Sequence, residues 1–307
     1  MAPTLPLPEM GRIELPRPGR FLQQAWSRRA FPTIDNVVTA DVVHAPAYVL
    51  PATSAPLVAT LHDLAFVHHP EWFTANGVKF LHRCLDAVRQ RADAVMVPSP
   101  QTAQDCIDAD IDASLIHIIP WGVEPGAPHD EAVAEAQQRL GVAPGGVVFV
   151  GTREPRKNLG SLAQAMKQHP DVPFTVIGPN GWGEVDIGRA QVTGRLSDAD
   201  VAALVTGADL LVYPSHFEGF GLPVLEAMAL GTPTIVTADT AAAWLADDAG
   251  TAVDTRSPDA IATAIGSLVG DPSRLEFLSE KGRERAALFS WSTTAQLTHD
   301  VYRSVAR

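Results

Sequence analysis

Two carboxylates, a glycine pair and a proline share one short stretch, Pro214-Ser215-His216-Phe217-Glu218-Gly219-Phe220-Gly221-Leu222-Pro223-Val224-Leu225-Glu226-Ala227. Gly219 and Gly221 let the backbone turn tightly and approach a ligand closely. Pro223 suits the first position of a helix, where its missing N–H costs nothing. The N–H groups around Gly221, Leu222 and Val224, with the helix dipole, predict a site for an anion such as a pyrophosphate. If both Glu218 and Glu226 were helical, eight steps would part them by ~12 Å along the axis and ~80° around it. One acid in the loop and one on the helix can instead flank a single bound molecule. Carboxylates accept hydrogen bonds from vicinal hydroxyls, so the pattern implies an anion joined to a polyol, as in a nucleotide sugar. The plain alternative is a loop-to-helix junction with solvated acids.

A basic turn forms a second candidate, Val150-Gly151-Thr152-Arg153-Glu154-Pro155-Arg156-Lys157-Asn158-Leu159. Arginine offers a planar fork matched to phosphate, and lysine a compact charge. At the carboxyl end of a strand, Lys157 and Arg156 would neutralise a diphosphate as it leaves, which is an electrostatic task. Arg153 is free to face solvent in this reading. The alternative is a solvated basic turn with Asn158 capping the next helix.

The elements that must position these groups alternate along the chain. Short apolar runs fall at Asp41–His44, Leu57–Leu61, Ala94–Val97 and Ile116–Ile119, with a helix from about Gly77 to Arg91. After a Pro/Gly break at Pro120–Gly126, further runs fall at Gly146–Val150, Phe174–Ile177, Gln191–Thr193, Ala208–Tyr213 and Thr234–Val236. Helices are expected from Pro258, from Pro272 and over Ser292–Val305. Such alternation predicts parallel α/β units with ligand at the carboxyl ends of the strands.

The Glu-Gly-Phe-Gly-Leu-Pro and Glu-Ala block, with the strand before it, resembles the E-x7-E signature of family 4 (group 1) retaining glycosyltransferases. The run at Gly151–Asn158 resembles that family's Gly-Thr-x-Glu-Pro-Arg-Lys-Asn motif. Val192-Thr193-Gly194-Arg195-Leu196 resembles its base-binding loop, with Arg195 as the candidate for stacking and Ser197 as the competing helix cap. Thr60-Leu61-His62-Asp63-Leu64 resembles its His-Asp-Leu segment. His62 would there hydrogen-bond the donor sugar near the reacting carbon, against the plainer reading of a structural histidine. His68 to Trp72 continue the likeness and would shape the acceptor side.

The resemblance implies an α/β protein of two Rossmann-like doubly wound domains facing a cleft (GT-B), the N-terminal domain incomplete. Expected boundaries are 1–122 for a partial acceptor-side domain, 123–290 for the nucleotide-sugar domain, and 291–307 for a helix returning to the first. It implies a hexosyltransferase using a nucleotide diphosphate sugar and a saccharide or lipid-linked hydroxyl acceptor in bacterial cell-surface polysaccharide or glycolipid synthesis. Glu226 would hold the ribose, Glu218 the sugar hydroxyls, and Gly219, Phe220, Gly221 and Leu222 would supply backbone donors. Gly151, Thr152, Arg195 and Leu196 would complete the donor site, and Lys157, Arg156, Glu218 and His62 the reacting centre. No cofactor or metal is implied, so Asp108/Asp110 and Asp198/Asp200 read as loop and helix acids. The family's opening strand and Gly-Gly-x-Gly-Arg-like loop has no counterpart in the proline- and arginine-rich Met1–Arg29. The alternatives are a truncated, inactive relative that binds nucleotide sugar or serves as a partner subunit, and an epimerase or phosphorylase on the same fold.

Bulk properties narrow the classes. A net charge of −12 over 307 residues argues against general nucleic-acid binding. Cys84 and Cys106 are the sole cysteines, so neither a disulfide framework nor a zinc site is suggested. No apolar run is long enough to span a bilayer, and the start lacks the apolar core of a signal peptide, which points to the cytoplasm. The helix with Lys79, Phe80, Leu81, Arg83, Leu85, Val88, Arg89 and Arg91 fits either a membrane-surface helix or a core helix with a solvated basic face. No G-x-G-x-x-G follows a strand, which disfavours a dinucleotide oxidoreductase.

Overall fold

Strands rich in Val, Ile and Leu, the central ones buried on both faces, form two parallel sheets, as expected when helices cover each side. The computed structural model describes residues 19–124, 126, 128–183 and 185–306. Two compact units emerge, one reaching Pro120 and resuming at Ser292, the other spanning Trp121–Trp291.

The first unit contains α1 (Gly19–Trp26), β1 (Val43–Ala45), β2 (Leu57–Thr60), α2 (Ala65–His68), α3 (Ala75–Arg91), β3 (Ala94–Val97), α4 (Pro100–Asp108) and β4 (Ile116–Ile118). Its four strands are parallel and lie in sequence order.

The second unit contains α5 (Asp130–Leu140), β5 (Val147–Val150), α6 (Leu159–Ala165), β6 (Phe174–Ile177), β7 (Gln191–Gly194), α7 (Asp198–Thr206), β8 (Leu210–Tyr213), α8 (Leu222–Leu230), β9 (Thr234–Thr237), α9 (Ala241–Ala246), β10 (Gly250–Val253), α10 (Pro258–Val269) and α11 (Pro272–Ala286). Its strand order is β10-β9-β8-β5-β6-β7. The order therefore reverses between β5 and β8, and that junction is the topological switch point. Finally α12 (Trp291–Val305) carries the chain back to the first unit from Ser292.

Helix starts follow local chemistry. Ser99, Ser257 and Asp271 each precede a proline and each accept a hydrogen bond from a backbone N–H of the first turn. In the first sheet the alternation of side chains is used on both faces. Leu57, Ala59, Val95 and Val97 pack into one cluster, while Val58, Ala94 and Met96 pack with Val301 and Leu297 of α12. Several elements escaped the apolar pattern, among them α1, α5, β10 and the short helices α2 and α9. Helix α1 lies inside the stretch read as proline- and arginine-rich, where Leu22, Ala25 and Trp26 sit at helical spacing. Helix α5 buries only Ala136, and β10 is a partly exposed edge strand. The part of the amino-terminal stretch before Gly19 lies outside the described residues. In α3, Cys84, Leu85 and Val88 are buried and Arg89 donates to the Ala109 carbonyl, the arrangement of a core-packing helix.

His44 of β1 ties α12 to the sheet. Its Nδ1 meets the Tyr302 hydroxyl at 2.6 Å and its Nε2 meets Thr60 Oγ1 at 2.7 Å. Burial, and secondarily the His62 charge, hold its pKa below the ordinary value of 6.5. The folded chain therefore resists protonation at His44 while the unfolded chain does not. Stability is expected to fall as pH drops below ~6.5, and His44→Gln should flatten that limb in thermal melts recorded between pH 7.5 and 5.

Candidate functional site

The basic turn follows β5 and the glutamate block follows β8, so the switch point places them side by side. Lys157 Nζ donates to Glu218 Oε1 at 2.5 Å and to the Tyr213 hydroxyl at 2.8 Å. Arg156 Nη1 stands 3.6 Å from Glu218 Oε2, and Arg156 Nε donates to Glu154 Oε1 at 2.5 Å. Trp182 Nε1 in turn donates to Glu154 Oε2 at 3.1 Å. The Lys157 and Glu218 side chains are only 8% and 10% exposed, so the pair is held largely away from water.

This is a compact cluster of two cations and two carboxylates at the carboxyl ends of two central strands. Held by two cations, the Glu218 carboxylate is oriented as an acceptor and weakened as a nucleophile. Removing either partner would leave a charge buried and uncompensated, the costly case for ion pairs.

The sequence gives Tyr213, Glu154 and Trp182 no role in the site. Tyr213 ends the apolar strand immediately before Pro214, which reads as core; its ring does stack on Phe149. Only the pairing of β8 with β5 brings its hydroxyl to Lys157. Burial, then the Glu218 charge, raise its pKa well above the ordinary 10, so it remains a phenol. Tyr213→Phe keeps the ring and removes one anchor of Lys157. The expected result is a loss of about 0.5–1.5 kcal/mol in stability and a fall in kcat with KM little changed, read by calorimetry and steady-state kinetics.

The glycine loop is anchored by Phe220. This side chain is 2% exposed and packs among Trp121, Trp244 and Phe289. Gly221 opens α8 with a φ of 103°, and a Cβ there would stand 3.2 Å from Ala242 Cβ, so both backbone angle and space call for glycine. Among the described residues, no backbone acceptor is paired with the N–H of Phe220, Gly221 or Leu222. Val224 departs from expectation: its N–H donates to the Gly221 carbonyl at 2.9 Å, because the first turn of α8 closes on its own cap.

Gly151 and Thr152 lie half-buried at the end of β5, where the Gly151 N–H donates to the Ile177 carbonyl. The Gly178 N–H donates to the Gly194 carbonyl, linking this edge to the turn after β7. A Cβ on Gly178 would stand 2.0 Å from the Gly151 oxygen, so this close approach requires glycine. Arg195 is exposed on that turn, and Leu196 packs partly against the core. Ser197 caps α7 through the Asp200 N–H. The Asn158 side chain does not cap α6; its Nδ2 donates to the Thr255 carbonyl at 2.8 Å, because Asn158 adopts a left-handed φ of 54°.

Glu226 is exposed on α8 rather than part of the Lys157 network. Desolvation, then the charge of Asp198, raise its pKa above the ordinary carboxylate value. Asp198 thus relates Glu226 to the start of α7, just beyond Leu196. His62 belongs to the first unit, where its Nε2 lies 2.8 Å from the Pro46 carbonyl. His69 stacks on Trp72 at 3.9 Å and its Nδ1 lies 3.0 Å from Glu71. Among the described residues no three His, Cys, Asp or Glu side chains are grouped to hold a metal ion, and no helix is long and apolar enough to cross a membrane.

Two parallel-sheet α/β units give this chain the GT-B fold seen in its structural neighbours. Comparison of the sequence extends this. Residues 134–285 match the family described as glycosyl transferases group 1, and residues 3–127 match glycosyltransferase family 4. An O-antigen chain mannosyltransferase B of Escherichia coli is 28% identical over 302 residues, covering 92% of this chain and 77% of that protein. A D-inositol 3-phosphate glycosyltransferase of Segniliparus rotundus is 31% identical, covering 82% of this chain and 62% of that protein. Among solved structures, Anabaena Alr3699/HepE in complex with UDP and glucose superposes with a TM-score of 0.74 at 22% identity, over 86% of this chain and 78% of that one. The chain belongs to the family 4, group 1 glycosyltransferases.

Proposed function

We propose that this glycosyltransferase moves a hexose from a nucleotide diphosphate sugar to a hydroxyl of a saccharide or lipid-linked acceptor, with retention of configuration and without a metal. The observation that carries the reading is the meeting of Lys157, Arg156 and Glu218 at the β5/β8 switch point. In this reading Lys157 and Arg156 take the charge that develops on the leaving diphosphate. Glu218 accepts hydrogen bonds from the sugar hydroxyls and Glu226 from the ribose. The N–H groups of Phe220, Gly221 and Leu222 serve the diphosphate from the end of α8, and Gly219 lends the loop its turn. Gly151, Thr152, Arg195 and Leu196 border the nucleoside, and His62 serves the donor sugar.

Retention follows same-face attack, the donor phosphate accepting the proton of the incoming hydroxyl. A Glu218 already engaged by two cations supports this over a covalent glycosyl-enzyme. The E. coli relative is named for a mannosyl transfer onto O-antigen chains, which supports a role in bacterial surface polysaccharide or glycolipid synthesis. We place the reaction on the cytoplasmic side, with peripheral membrane contact where the acceptor is lipid-linked.

The test is calorimetric titration with UDP, GDP and ADP in EDTA, followed by product analysis with the matching sugar donor. A new glycoside with the donor's anomeric configuration is expected. An isomerised donor would reassign the chain as an epimerase, and a sugar phosphate as a phosphorylase. Binding without any product in the presence of varied acceptors would leave a nucleotide-sugar-binding relative.

A further inference from the structure

The chain carries 23 basic against 35 acidic residues, yet one cavity of the first unit gathers arginines. It has a volume of about 410 Å³ and lies between α3 and the turn after α1. Arg83 and Arg91 line it from α3, and Arg28 and Arg29 from the turn. Arg83, Asp86, Ala87, Gln90 and Arg91 recur at helical spacing, so they form one stripe along α3.

Each of these groups can be accounted for. Arg91 is fixed by the carbonyls of Leu50 at 3.0 Å and Trp26 at 3.4 Å. Arg28 and Arg29 are exposed. Arg83 is half-buried, and its Nε is enclosed by protein with no hydrogen-bond acceptor among the described residues. The one acid in the lining, Asp86, is taken by Arg89 at 2.6 Å. The negative end of α1 is also satisfied, since the N–H groups of Ser27, Arg28 and Arg29 already donate to its last carbonyls. Four guanidinium groups therefore border a cavity whose single acid among the described residues, Asp86, is already engaged by Arg89 through Oδ1.

We propose that this cavity binds a phosphate-bearing anion. Guanidinium forks match phosphate oxygens two by two, and a desolvated guanidinium N–H without an acceptor gains most from a charged one. The volume falls in the range of small-ligand sites. The site is separate from the residues assigned to the donor. Arg91 leads into the start of β3, whereas His62 follows the end of β2, and the two strands are parallel.

Pyrophosphate is the probe, titrated calorimetrically into the purified full chain, into Arg28→Gln/Arg29→Gln, into Arg83→Gln and into Lys157→Ala. The exposed double replacement guards against a failure of Arg83→Gln to fold. Affinity is expected to fall about tenfold or more in the arginine variants and to persist in Lys157→Ala. Binding lost in Lys157→Ala and untouched by the arginine changes would overturn the proposal while supporting the donor site. Sedimentation with phosphatidylglycerol vesicles, and with phosphatidylcholine vesicles as control, separates the sources of phosphate. Arginine-dependent retention on the anionic vesicles, competed by pyrophosphate, assigns a lipid headgroup. Arginine-dependent pyrophosphate binding without retention assigns a soluble phosphate ester. Neither pyrophosphate binding nor vesicle retention would overturn the site.

Discussion

Lys157→Ala is expected to lower kcat by about 10²–10³-fold, the usual consequence of removing one preorganised group facing developing charge. It should also destabilise the fold, because Glu218 would lose its 2.5 Å partner while remaining 10% exposed. Breaking a buried pair costs about 3–5 kcal/mol, and Arg156 at 3.6 Å moves the loss toward the lower end. The two effects separate in Lys157→Ala/Glu218→Gln. A neutral amide leaves no uncompensated charge, so the melting temperature should recover much of its loss while turnover stays low. Scanning calorimetry and single-turnover kinetics read the two quantities independently. Recovery of turnover in the double variant would show that Lys157 acts only by balancing Glu218.

The second large effect belongs to Glu226. Glu226→Ala should weaken nucleotide binding by ~10–150-fold per hydrogen bond lost, as for bonds to a charged acceptor worth about 1.5–3 kcal/mol. Unlike Lys157→Ala, it should raise stability at neutral pH. Desolvation and Asp198 push the Glu226 pKa up, so the folded state disfavours the ionised form. That cost is present above the folded pKa, where the carboxyl is ionised in both states. It fades as pH falls below the unfolded value. Because Glu226 is exposed, solvent screens the effect and the gain should be small. Thermal melts of the two proteins should therefore differ near pH 7.5 and converge near pH 3.5, while calorimetric titration shows the loss of binding.

Much of this protein was legible in the residues alone. Gly221 before Pro223, the prolines at Pro258 and Pro272, and the buried runs at Val147–Val150 and Leu210–Tyr213 are local signals. They act through φ angles, capping and burial of neighbouring residues, and the resulting elements were expected. The residue types in the glutamate block and the basic turn likewise pointed to an anion joined to a polyol. Elements with weak local signals were not legible, such as α1 among prolines and arginines, or the exposed edge strand β10. The helix cap offered as an alternative for Asn158 does not form, since its side chain bonds instead to Thr255, 97 residues away.

What only the tertiary structure decided is which side chains face one another. Periodicity shows that β5 and β8 are strands, not that they are neighbours. Their adjacency follows from the burial of both sheet faces under helices, a long-range condition that no window of sequence contains. That adjacency brings Lys157 to Glu218, 61 residues apart, and turns Tyr213 from a core aromatic into an anchor of the lysine. The same holds for the arginine cavity, where α3 and the turn after α1 contribute charges that look unrelated along the chain. Local chemistry chose the groups, and packing free energy chose their partners.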